Sequence, residues 1–249
     1  GMDIEKYKHH PFEFYAENYL SKTIDEIDLP ADVRWTIDIY IDWAMGWTFN
    51  LSLSKNILEN NLFDEDFKGW GVEDIEWAYR VKCAGSTVIF SDKIWAIHLS
   101  HYRNVNNNHD TERINFKKML RKWPVFEVEL VTTFGDIKGN KAYPKIMENV
   151  ARVIDDEIHK IGIIEMEDKF QQKHLYIGAS IDPYNKKLPL HSDKFTSVKS
   201  LSLFGYSLPY QDKQIQSVEF SPAFSKVDKD LHELVLTEVS RVTDNIVVR

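Results

Sequence analysis

Residues 63–76 read F-D-E-D-F-K-G-W-G-V-E-D-I-E: two glycines around a tryptophan, then carboxylates at the mouth of a helix. Gly69 and Gly71 allow backbone angles that other residues resist, so the loop can turn sharply and approach a ligand closely. Trp70 offers a flat apolar face of the kind on which a sugar ring stacks. Glu73 and Asp74 open a periodic segment over 73–82. They stand near the positive end of its helix dipole, which favours an ionised carboxylate. An ionised carboxylate beside a stacking surface suits general-base activation of a hydroxyl. A plain acidic helix start behind a glycine turn accounts for the same letters.

Working outward, the helix places Ile75, Ala78, Tyr79 and Lys82 on overlapping faces, and Gly85 follows as its stop. Arg80 stands four residues after Glu76, the spacing of a surface ion pair. The β-branched runs 87–90 and 94–99 predict strands. The second delivers His98 and His101 in H-L-S-H-Y-R-N, residues 98–104. Two imidazoles at this spacing can share a cation where a strand ends in a turn, although such a pair alone is more often structural. Upstream, 12–27 predicts a helix behind Pro11. The loose alternation over 35–43 and the T-F-N-L-S run at 48–52, with Asn50 at its centre, predict strands, and 55–60 a short helix.

The order F-D-E-x-F-x-G-W-G-x-E-D-x-E-x-x-x-R-x-x-x-x-G, then H-x-x-H-x-R-N, resembles the C-terminal half of GT-A glycosyltransferases. The likeness is to the family 2 enzymes with a galactosyltransferase-like C-terminal region, and it runs over residues 12–104. It implies the acceptor-side half of a GT-A fold, with Asp74 as catalytic base and Glu73 binding the acceptor. It also implies Trp70 and Gly71 lining the sugar site, with Asn50 and Arg103 on the substrate side. His101, with His98 at the second position, would hold a divalent metal, Mn or Mg, that binds the donor pyrophosphate. The implied substrates are a nucleotide sugar, of galactose or N-acetylgalactosamine type, and a saccharide acceptor. The family's nucleotide-binding half and its D-x-D motif come before this region. Asp64-Glu65-Asp66 has those letters but belongs to the F-D-E-x-F segment. The expectation is an acceptor half whose donor half lies elsewhere: a piece of a longer protein, one of two chains, or a remnant that no longer transfers sugar. An apolar surface is then expected near Trp35, Trp43, Met45 and Trp47, covered by a partner chain or a second copy.

The Asn-rich stretch 105–110 reads as a domain break. A helix capped by Thr111 is expected over 111–123, a β-rich run over 125–134, and a long helix over 144–161 closed by Gly162. From residue 173, strands at 174–179, 198–204, 216–220 and 245–248 around a helix at 228–242 predict an α/β layer with a parallel sheet. The pattern L-P-Y-x-D-x-x-I-x-S-V at 208–218, then L-x-E-V-x-R-V at 236–242, resembles the latter half of a class I S-adenosylmethionine-dependent methyltransferase. That likeness implies a small Rossmann-like domain. The first strand carries one glycine, at Gly178, and the second ends Leu203-Phe204-Gly205 without an acid. S-adenosylmethionine is therefore not expected to bind. The chain reads as α/β in three parts: a GT-A acceptor-side region over 1–104, a helical connector with one strand over 105–172, and a methyltransferase-like region over 173–249.

Composition fits these readings. The 249 residues are 43% hydrophobic with seven Trp, enough for a real core. A net charge of −8 without a basic cluster argues against a nucleic-acid surface. Cys83 is the one cysteine, so no disulfide framework exists and a reducing, cytoplasmic setting is expected. No apolar run reaches the roughly 18 residues of a membrane span, and no signal peptide is evident. Gly1-Met2 reads as a tag remnant before a start methionine. Two functions stay open: sugar transfer, or a non-catalytic assembly or binding protein built from two reduced enzyme domains.

Overall fold

The computed structural model describes residues 37–91, 105–153, 160–181 and 194–247. The helix expected over 12–27, the strand over 94–99, Trp35, His98, His101 and Arg103 lie outside the described residues. The chain is mixed α/β and divides into two compact units, Gly1–Glu112 and Arg113–Arg249.

The first unit is built on helix α2, Glu73–Cys83. Before it come two single 3₁₀ turns, Asp42–Met45 and Thr48–Asn50, and the short helix α1, Lys55–Asn60. Ile75, Trp77, Ala78 and Val81 form the buried face of α2, and Trp43, Ala44 and Met45 are fully buried as well. The helix reaches the first turn because Gly46 has no side chain: a Cβ there would lie 2.7 Å from that of Ala78. Trp43 meets Tyr79 edge-on at 5.0 Å, and Phe63 stacks on Trp77 at 5.4 Å.

Several expectations change here. The run 35–43 gives no strand among its described residues. Residues 42–45 form a 3₁₀ turn instead, and its three consecutive residues 43–45 are fully buried. The T-F-N-L-S run likewise starts in a 3₁₀ turn and continues without strand pairing. Residues 87–90 have no partner strand among the described residues, and Ile89 is exposed. The apolar patch expected around Trp43 and Met45 is not a surface, because both side chains fill the unit's own core, while Trp47 is half-buried. The Glu76–Arg80 pair is not a surface pair either. Glu76 is fully buried, Arg80 Nε stands 2.9 Å from both its oxygens, and Arg80 also donates to the Leu62 carbonyl at 2.8 Å.

Helix α3, Val105–Lys122, contains the boundary between the units. Its start corrects two expectations: the Asn-rich stretch is helical, and Thr111 lies within the helix instead of capping it.

The second unit continues with α4, Phe126–Phe134, and α5, Asp136–Val153. A five-stranded sheet follows: β1 Lys160–Asp168, β2 Lys173–Ile181, β3 Phe195–Leu201, β4 Ser217–Phe220 and β5 Ile246–Val247. Helix α6, Lys229–Val242, precedes β5. The sheet order is β3-β1-β2-β4-β5. It is mixed rather than parallel: β1 pairs antiparallel with β2 and β3, while β4 pairs parallel with β2 and β5. The expected strand over 125–134 is helical despite its β-branched residues. Val128, Glu129, Leu130 and Val131 are all fully buried, and burial on every side outweighs intrinsic preference. The helix expected over 144–161 starts earlier, at Asp136, and runs through Pro144; residues 154–159 lie outside the described residues, and Ile161 and Gly162 belong to β1. Gly178 is not a terminal turn. It adopts φ +78° inside β2, opposite the register shift between Gly162 and Ile163, and is therefore a bulge.

Glu129 ties this unit together. It has no exposed surface, and its oxygens accept the N–H groups of Phe204 (2.6 Å), Gly205 (2.6 Å) and Ser207 (3.3 Å). A second anchor joins α3 and α6 to the same loop. Lys117 donates to Ser207 Oγ at 2.7 Å and to Glu238 at 2.8 Å, and Glu238 also accepts the Leu208 N–H and Arg241.

Candidate active site

The glycine–tryptophan loop and the first turn of α2 form the site. Gly69 and Gly71 hold φ of +82° and +89°, a region that favours glycine, and Val72 follows at +80° as the residue before the helix. Three positive-φ positions within four residues, on both sides of Trp70, turn the chain sharply into α2. Trp70 is left 41% exposed, so part of the indole is open to a ligand.

Asp74 stands half-buried in the first turn of α2. Its Oδ2 accepts the Thr48 N–H at 3.3 Å and its Oδ1 the Ile75 N–H at 2.8 Å. Burial raises its pKa above the ordinary aspartate value, and the neighbouring charge of Glu73 raises it further, while the Thr48 and Ile75 N–H groups pull it down. The sequence reading expected the helix dipole to favour the ionised form; desolvation and Glu73 outweigh that here. The result is a carboxylate with a higher proton affinity than a free aspartate. Glu73 Oε2 is buried with no hydrogen-bond partner among the described residues.

The Thr48 contact carries Asn50 to the same place. Asn50 closes the 3₁₀ turn that Thr48 opens, so that turn docks on Asp74. The structure therefore brings Trp70, Gly71, Glu73, Asp74 and the Asn50 turn to one end of α2. His98, His101 and Arg103 lie outside the described residues. Among the described residues no three His, Cys, Asp or Glu side chains gather as a cation site would need. No described helix is long and apolar enough to cross a membrane.

Part of the chain is similar to a glycosyltransferase. Over 93 residues, 37% of its length, it is 36% identical to validoxylamine A glucosyltransferase of Streptomyces hygroscopicus subsp. jinggangensis (strain 5008). It has the same identity over the same length to the validoxylamine A glucosyltransferase of Streptomyces hygroscopicus subsp. limoneus. The match covers 22% and 20% of those proteins, so the chain spans about a fifth of the length of the curated relatives it matches. No family model matches the chain, and no solved structure matches it.

Sequence reasoning missed two residues of the site. Thr48 was noted only as the first letter of T-F-N-L-S, and its role rests on a backbone N–H that no side chain advertises. Thr111 was read as a helix cap; instead its hydroxyl bonds to Trp70, 41 positions away. Nothing local in the sequence signals that contact.

Proposed function

We propose that this chain carries the acceptor side of a glycosyltransferase site and that Asp74 is its general base. The observation that carries the reading is the state of Asp74: anchored by two N–H groups, its proton affinity raised by burial and by Glu73, beside an exposed tryptophan. In the step envisaged, an acceptor hydroxyl oxygen attacks the anomeric carbon of a nucleotide sugar. The bond from that carbon to the diphosphate breaks, the nucleoside diphosphate leaves, and the hydroxyl proton passes to Asp74. Glu73 Oε2, buried and without a hydrogen-bond partner among the described residues, would accept a hydrogen bond from another acceptor hydroxyl. Trp70 would stack on the ring.

Partial similarity to glucosyltransferases supports glycosyl transfer in general and makes glucose a donor sugar to test beside galactose and N-acetylgalactosamine. A divalent metal, Mn or Mg, would neutralise the departing diphosphate, with His101 and His98 as its proposed ligands. Donor binding needs further groups, from beyond this stretch or from a second chain. The GT-A assignment belongs to the same proposal.

The second reading, an assembly or binding role, applies best to the C-terminal unit. A methyltransferase-like site would need open space at the glycine of its first strand. Here a Cβ on Gly178 would meet Ser221 Oγ at 2.8 Å and Phe224 at 3.2 Å. Protein side chains fill that approach, which favours packing over binding of S-adenosylmethionine.

The test supplies the donor-binding groups, as the longer protein or the second chain, and follows acceptor-dependent release of nucleoside diphosphate from a panel of nucleotide sugars with Mn. Asp74→Asn should lower turnover about 10²–10⁴-fold while acceptor binding persists. Full turnover in the Asn variant would remove Asp74 from the role.

A further inference from the structure

The geometry points to Thr111 as the positioning residue of the acceptor site, the clamp that holds the 69–71 loop in the form that presents Trp70. What the loop is for rests on the function proposed above; the clamp itself rests on geometry alone.

Thr111 lies in the second turn of α3. Its Oγ accepts the Trp70 N–H at 3.1 Å. Its one proton is shared between the Trp70 carbonyl at 3.1 Å and the carbonyl of Asn108, one helical turn back, at 3.0 Å. Both peptide groups flanking the Trp70 Cα are thus held by one side chain. That fixes the direction in which the indole leaves the backbone. The contact is steric as well as polar. A Cβ on Gly69 would lie 2.7 Å from the Thr111 methyl and 2.8 Å from its Cβ, and one on Gly71 would lie 3.4 Å from Glu112 Cγ. Two consecutive residues of α3 therefore back the two glycines on either side of Trp70.

The combination is informative. A loop fastened for stability alone would turn its indole inward, where burying it contributes most. Here the main chain is fastened at both ends of one residue and the ring is left exposed. An exposed aromatic held in place loses little freedom when a ring stacks on it, so fastening the backbone favours binding.

The test compares Thr111→Val, which keeps the shape and removes the hydroxyl, with Thr111→Ser, which keeps the hydroxyl and removes the methyl, in the full chain. The Trp70 amide should exchange with solvent about 10-fold faster in the Val variant and at the wild-type rate in the Ser variant, since about two net hydrogen bonds are lost and then restored. Unchanged exchange in the Val variant overturns the clamp. The acceptor KM should rise several-fold in the Val variant, with kcat falling less, and return with Ser. Equal KM values overturn the positioning role even if exchange quickens. If Val prevents folding, the Ser variant decides: exchange faster than wild type there overturns the clamp. A wild-type protein that transfers no sugar even when its donor-binding groups are supplied counts against the proposed function, and the exchange measurement still decides the clamp.

Discussion

Glu129 offers the most quantitative test of the fold. It lies in the middle of α4 with no exposed surface and three backbone N–H groups on its oxygens. Burial pushes its carboxyl up from the ordinary 4.5 to about 7, although the N–H groups of residues 204–207 pull the other way. Between those two values the folded protein holds a proton that the unfolded chain has released. The contribution to stability is therefore fully present below pH 4.5 and is lost as pH rises through about 7. At 1.36 kcal/mol per unit, the loss comes to about 3 kcal/mol. Glu129→Gln removes the titration. Glutamine brings one acceptor oxygen where the carboxylate brings two, so it also forfeits at least one backbone hydrogen bond, a cost of about 1–3 kcal/mol at every pH. Urea unfolding of both proteins from pH 5 to pH 8 isolates the effect, because the neighbouring titratable groups Lys117 and Tyr206 are common to both. The variant should be the less stable at pH 5, and the gap should close or reverse by about 3 kcal/mol at pH 8. A gap that stays constant across that range would refute the reasoning.

Three further outcomes follow from the first unit. Glu73→Gln removes a charge that raises the Asp74 pKa, so the acid limb of the transfer pH profile should move to lower pH; an unmoved limb would uncouple the pair. Arg80→Leu removes the guanidinium from the buried Glu76 and should cost up to about 3–5 kcal/mol in guanidinium unfolding, whereas a loss below about 1 kcal/mol would show that the pair behaves as a surface one. Gly69→Ala adds a methyl against Thr111 at a φ of +82° and should cost about 1–3 kcal/mol, seen as a lower Tm; an unchanged Tm would show that the loop adapts.

What the sequence revealed was local. The helix over 73–83, its acidic first turn, the glycine punctuation and the short helix at 55–60 are set by neighbours in the chain, so spacing exposed them. The same holds for α6 and for the positions of β2 and β4. What stayed hidden depended on partners far away. The helix over 126–134 is made of residues that favour strands, and it is helical because four successive positions are buried among distant elements. β1 was not anticipated: the expected helix ran on to Ile161, and the short alternation after Gly162 gains its meaning only when β2 and β3 pair with it. In the site, the acid and the tryptophan were legible as residue types. The rise in the Asp74 pKa was not, because desolvation is a property of the folded surroundings.

The mixed order of the sheet also sets a sequence in time. β1 and β2 are joined by a tight turn in which Asp168 accepts the N–H groups of Phe170 and Gln172, so their pairing is local and closes in about 1–10 μs. β4 pairs with the other flank of β2 from far along the chain, and β5 pairs with β4 beyond α6. Pairings separated by that much chain are slow. In the interval the flank of β2 that carries Leu175 and Ile177 is an open edge, able to pair with another copy of the same strand. Dilution of a concentrated refolding mixture should therefore improve the recovery of intact protein, and equal yields across a range of concentrations would speak against a lasting open edge.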